Sequence, residues 1–194
     1  MMLEELYQAA VALYSGMDAH APGWYARRLM HQKGLPMHCP EHHFIVPAAL
    51  LLAAHKHAGT GAETVQKDLR TALLRAQTVP GGFCGNCGCC GAGIGTGIFL
   101  AIWYDTNPKS EQNWALTQRM TARALDEIAT VEGPRCCKRV TFLALSAANA
   151  FCKQELGLAL GEEADFICGY YPQNRECRGR DCPYYPRRAE QEGA

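Results

Sequence analysis

Serine is nearly missing from this chain. Three occur among 194 residues, Ser15, Ser110 and Ser146, and none lies in a G-x-S-x-G motif, which leaves little room for serine-hydrolase chemistry. An excess of charge is missing too: 19 Lys+Arg meet 19 Asp+Glu, so no global field draws the chain to nucleic acid or to anionic lipid. Valine and isoleucine are scarce against the many alanines and leucines, a balance that favours helix over sheet. The apolar run Ile98–Tyr104 is far shorter than a membrane span. Met1–Gly16 carries Glu4 and Glu5 in place of a basic segment and a small-residue cleavage site, so no secretory signal is expected and a cytoplasmic location is. A phosphate-binding G-x4-G-K-[S/T] loop is absent, and the run Gly91-Ala-Gly93-Ile-Gly95-Thr-Gly97 is not a dinucleotide fingerprint. With 48% apolar residues the chain is not disordered, and residues 1–194 are expected to form a single domain.

What is present is helical periodicity. Leu3, Leu6, Ala10, Leu13 and Met17 fall at helical spacing and predict a first helix over 3–17. Pro22 opens a second, to about Gln32, ended by Gly34 and Pro36. A long apolar helix is expected over about 40–57, ended by Gly59 and Gly61, with Pro47 predicting a kink or a break. Further helices are expected over about 63–77, 92–104, 111–130 and, after Gly133-Pro134, to about Leu156. From Cys168 the chain becomes rich in Pro, Gly and Tyr, with a small repeat, Cys168-Gly-Tyr-Tyr-Pro172 and Cys182-Pro-Tyr-Tyr-Pro186. The expected fold is an all-α bundle of about six or seven helices with an irregular, cysteine-bearing tail over 165–194.

Cysteine is the abundant chemistry. Eleven occur, an odd number and a poor disulfide framework for a chain without an export signal, so metal or redox chemistry is the better reading. Their placement is the informative part. Cys39 precedes Pro40, the expected first residue of the third helix. Cys84, Cys87, Cys89 and Cys90 precede the fifth. Cys136 and Cys137 start the seventh. Free N–H groups and the positive dipole end at a helix start favour thiolate and anionic metal–sulfur centres, and Arg135, Lys138 and Arg139 push the same way. Three such placements predict convergence on one site. Cys84, Cys87 and Cys90 read C-x2-C-x2-C, the spacing with which three thiolates wrap an iron–sulfur cube, and Cys39, Cys136 or Cys137 is available as a fourth ligand. A zinc site using Cys84 and Cys87, a metal-free dithiol at Cys87 and Cys90, and a purely structural role remain open on the same residues.

The tail offers Cys168, Cys177 and Cys182, three metal-ligand candidates without a local fourth; the plainer alternative is a tail held by tyrosine packing. Cys152 lies about 22 Å along the helix from Cys137 and is expected in the core. His38-Cys-Pro-Glu-His42 matches H-x-x-E-H, but Pro40 disfavours helical geometry before it, so a zinc-protease helix is not expected. Glu41 and His42 are instead candidate acid–base groups, and Cys89, Cys136 and Cys137 candidate nucleophiles or thiol-exchange groups. His55 and His57 are expected at the surface.

Cys-Pro-Glu-His-His (39–43), Gly-Gly-Phe-Cys-Gly-Asn-Cys-Gly-Cys-Cys-Gly-Ala-Gly (81–93) and Pro-Arg-Cys-Cys-Lys-Arg (134–139) resemble a family of uncharacterised cysteine-rich proteins of anaerobic bacteria and archaea. The resemblance covers most of the chain and implies cysteine-dependent chemistry without bringing an activity. Separately, Cys90–Gly95 is similar to the C-G-A-x-x-G stretch of a redox-active helical family. Together these readings lead to an expected [4Fe–4S] protein of redox or sulfur-transfer chemistry, acting on a sulfur-bearing or other small molecule or with a redox partner protein. Zinc as the bound ion of an interaction module, and soft-metal handling, are the alternatives.

Overall fold

The computed structural model describes residues 2–16, 18–162 and 164–187. Among them are eight α-helices and no strand: α1 (Met2–Ser15), α2 (Pro22–Met30), α3 (His42–Ala58), α4 (Ala62–Ala76), α5 (Phe83–Asn86), α6 (Gly91–Trp103), α7 (Trp114–Ala129) and α8 (Cys137–Phe151). The all-α expectation is met, with the short α5 added inside the glycine-rich loop. Met17, expected to close the first helix, and the tail residues 188–194 lie outside the described residues.

The long apolar helix is the axis of the bundle. Phe44 through Ala54 of α3 are buried without interruption, and Leu50, Leu51 and Leu52 have no exposed surface. A helix apolar on every side must be enclosed on every side, and α1, α2, α4, α6 and α8 all pack on it. Each buried leucine contributes about 1.5–3 kcal/mol. Of the kink or break expected at Pro47, the break does not occur: α3 runs through it as one helix. The prolyl ring is held by α6: a Cβ added at Gly95 would lie 2.9 Å from Pro47 Cδ and 3.0 Å from Val46 Cβ. The alternate glycines of α6 are packing surfaces, as Gly93 is against Leu125 of α7, and this close approach seats α6 between α3 and α7.

Several boundaries differ from the sequence reading for visible reasons. α3 begins at His42 because the chain first makes a tight turn, with His42 N–H to Cys39 O at 3.3 Å and His43 N–H to Pro40 O at 2.8 Å. α7 begins at Trp114 because Asn113, at φ 61°, is in the left-handed region and cannot continue a helix. α8 ends at Phe151, and 152–156 widen into a single π-turn before Gly157. His55 is buried, not at the surface: Nε2 lies 3.0 Å from Asp68 Oδ2 and Nδ1 3.0 Å from Thr60 Oγ1. His57 is exposed.

The tail is irregular, as expected, apart from 3-10 turns at Tyr171–Gln173 and Gly179–Asp181. It lies against α8. Phe166 stacks on Phe142 at 3.6 Å between centroids, Tyr184 meets both rings edge-on, and Cys168 N–H bonds Tyr184 O at 2.7 Å.

Candidate functional site

All the cysteines but Cys152 gather at one end of α3, α6 and α8. Cys90 is the N-cap of α6, Cys136 the N-cap of α8, and Cys137 the first residue of α8. Cys39 sits in the turn before α3. Cys84, Cys90 and Cys137 line a cavity of about 210 Å³ together with His42 and His43. Cys39 stands beside it, its amide facing the Cys137 sulfur.

Cys136 faces elsewhere. Its backbone is extended, at φ −140° and ψ 108°, whereas Cys137 is already helical, so the adjacent side chains diverge. Cys136, Cys168, Cys177 and Cys182 line a separate cavity of about 10 Å³. Cys87 is exposed and Cys89 half-buried, and neither lines the two cavities. Cys152 is fully buried among apolar side chains. All eleven cysteines are free thiols. Among the described residues, no three His, Cys, Asp or Glu side chains stand at metal-ligating spacing.

The helix starts do not by themselves make thiolates. Burial pushes Cys39 up to about 12, with the Glu41 carboxyl beside it adding to the rise. Burial pushes Cys137 up to about 11 against the pull of the Cys39 amide and Arg135. Cys90 and Cys136 also rise through burial, opposed by the first amides of α6 and α8. The expectation of low thiol pKa values at these helix starts is therefore corrected: removal from water outweighs the dipole and the nearby cations.

Two cations lie buried behind the thiols. Lys138 is 2% exposed and Arg139 4% exposed, and among the described residues neither is in an ion pair with a carboxylate. Lys138 Nζ lies 2.7 Å from His42 Nε2 and 4.9 Å from the Tyr170 ring centroid. Cys39, Cys137, Cys136 and Cys168 are the groups that favour its charge, while burial lowers its pKa. Arg139 lines both cavities; Nη2 bonds Glu132 O at 3.1 Å and Pro134 O at 2.9 Å, and Nε has no partner. A buried cation without a carboxylate is costly unless an anion faces it.

His42 joins this charge to Cys39. An ammonium only donates, so His42 Nε2 accepts from Lys138, and Nδ1–H donates toward Cys39 Sγ at 3.1 Å and Cys39 O at 3.2 Å. Burial, then Lys138, lowers its pKa to about 3. The 3.1 Å contact has the spacing of a nucleophile and its base, but a neutral imidazole whose accepting nitrogen is occupied takes no proton from Cys39. His43 donates from Nδ1 to Val79 O at 3.1 Å. His38 accepts the Cys137 N–H at 3.4 Å, and its Nε2 lies 3.1 Å from Asn174 Oδ1. Asn174 Nδ2 in turn donates to Cys136 Sγ at 3.5 Å, so it ties the tail to both halves of the cysteine pair. Asn174 carries no motif, and nothing in the sequence marks it.

Two cysteine-lined cavities thus lie at one end of the all-α bundle, with buried Arg139 in the wall of both and Lys138 behind His42. The chain belongs to a family of unknown function, DUF5714, which it matches over residues 12–185. No curated protein and no solved structure matches it.

Proposed function

We propose that the larger cavity holds an anionic metal–sulfur centre, a [4Fe–4S] cluster, and that the protein serves redox or sulfur-transfer chemistry. The observation that carries this reading is the pairing of Cys84, Cys90 and Cys137 around about 210 Å³ with buried, carboxylate-free Arg139 in the cavity wall and Lys138 behind His42. Thiols that are neutral in the bare protein leave those cations uncompensated; metal-bound thiolates compensate them. The donor set fits the group in kind, being rich in thiols and flanked by the amides that start α6 and α8. Closing on a cluster requires the cysteine side chains to turn inward.

On this reading Cys137 takes the place that the C-x2-C-x2-C spacing gives to exposed Cys87, and Cys39 is the fourth donor. Held by all four thiolates, a cluster would supply an electron; with Cys39 released, it would offer one open iron to a sulfur-bearing substrate. The chain's own residues hold it. Lys138 offsets its charge and keeps His42 neutral, and His42 orients Cys39. Cys89, half-buried on the loop beside the cavity, is left as a spare thiol for exchange.

Protein purified without oxygen is expected to show a broad visible band and about four irons with four acid-labile sulfides per chain. Cys84→Ser, Cys90→Ser and Cys137→Ser are expected to lose the iron, and Cys87→Ser to keep it. A colourless protein, or full iron in Cys137→Ser, overturns the reading.

A further inference from the structure

We propose a second metal site, independent of the first: Cys136, Cys168, Cys177 and Cys182 take one zinc ion that clasps the tail to the start of α8. The four thiols come from three places in the fold, the N-cap of α8 and two turns of the tail, and line one cavity. That cavity, about 10 Å³, has room for about one atom-sized guest, so it suits a single ion and excludes a cluster.

The sulfurs are already addressed by donors. Tyr170 N–H points to Cys168 Sγ at 3.4 Å and Gly179 N–H to Cys177 Sγ at 3.3 Å, each two residues on, and Asn174 Nδ2 to Cys136 Sγ at 3.5 Å. A neutral thiol is a weak acceptor, whereas a metal-bound thiolate is a strong one. Arg139 and Arg178 line the same cavity, and each has a buried Nε–H without a hydrogen-bond partner. Arg178 Nη2 is already paired with Asp181 Oδ2 at 3.1 Å, so Arg139, which has no carboxylate partner among the described residues, is the cation left to offset the negative charge of a zinc ion with four thiolates. No histidine lines this cavity, so the donor set is the all-cysteine type of structural zinc.

Binding is proton-balanced and involves no oxidant: Zn²⁺ displaces four thiol protons and forms four Zn–S bonds. The sulfurs do not stand at ligating spacing in the structure, and closing on the ion turns each about its one side-chain torsion.

Zinc and iron are counted in the same digest of the full chain, purified without oxygen. One zinc per chain is expected, whatever the iron count, with an X-ray absorption shell of four sulfurs at about 2.3 Å. Cys177→Ser is expected to lose that zinc, and Cys84→Ser to keep it. Should Cys177→Ser not fold, iodoacetamide mapping of the wild-type chain decides: Cys136, Cys168, Cys177 and Cys182 are expected to be protected until a chelator removes zinc. The proposal is overturned by zinc absent or well below one per chain, by nitrogen or oxygen in its shell, by iron in its place, by zinc that leaves with Cys84→Ser, or by a disulfide among the four. Loss of the cluster without loss of this zinc sinks only the reading of the larger cavity.

Discussion

His42 makes the bare protein acid-sensitive by an amount that follows from its surroundings. It is 2% exposed and its pKa falls from 6.5 to about 3, first through burial and then through Lys138. The unfolded chain therefore binds a proton near pH 6.5 that the folded chain refuses until about pH 3. Stability is complete above the unfolded value and falls with pH below it, by about 1.4 kcal/mol per unit for this one group. Between pH 7 and 5 the loss assigned to His42 is about 2 kcal/mol. The assay is urea unfolding of reduced, metal-free protein at half-unit steps, for wild type and His42→Gln. His43 and His55 are also lowered by burial and contribute in both proteins, so the difference between the two curves isolates His42. The variant is expected to be the less pH-dependent by nearly one proton. Parallel profiles from pH 7 to 5 would refute the burial argument, as would an imidazole resonance of His42 that titrates near 6.5.

Two further substitutions test the frame around the site. Gly95→Ala places a methyl against Pro47 and Val46, neither of which has a flexible end to yield; overpacking of about 1–3 kcal/mol exceeds the helix-propensity gain, and the melting temperature is expected to fall by about 3–6 °C. Cys152→Ala, in the core and outside both cavities, is expected to leave zinc and iron counts unchanged while costing about 1 kcal/mol in urea unfolding.

The helices were legible because their signals are local. Apolar spacing, Pro22 at a helix start and glycine at Gly59 and Gly157 act within a turn or two of the residues they govern. The gathering of cysteines at helix starts was legible for the same reason. The division of Cys136 from Cys137 was not, because it depends on one residue being extended and the next helical. Nor was the burial of His55, which is set by Asp68 on another helix. The thiol pKa values went the other way from the local expectation. Dipoles and neighbouring cations can be read from sequence, but the depth of burial that outweighs them is a property of the assembled bundle.

The cysteine pair that opens α8 also fixes an order of events during synthesis. Cys39, Cys84, Cys90 and Cys137 all precede Cys168, so every thiol of the larger cavity leaves the ribosome before the tail's first thiol does. Cys136 emerges with them and waits for partners at 168, 177 and 182. The thiols assigned to the larger cavity are thus all present in the growing chain before the smaller cavity has more than one of its four, and the stretch that brings the other three is also the one that lays Phe166 and Tyr184 on α8.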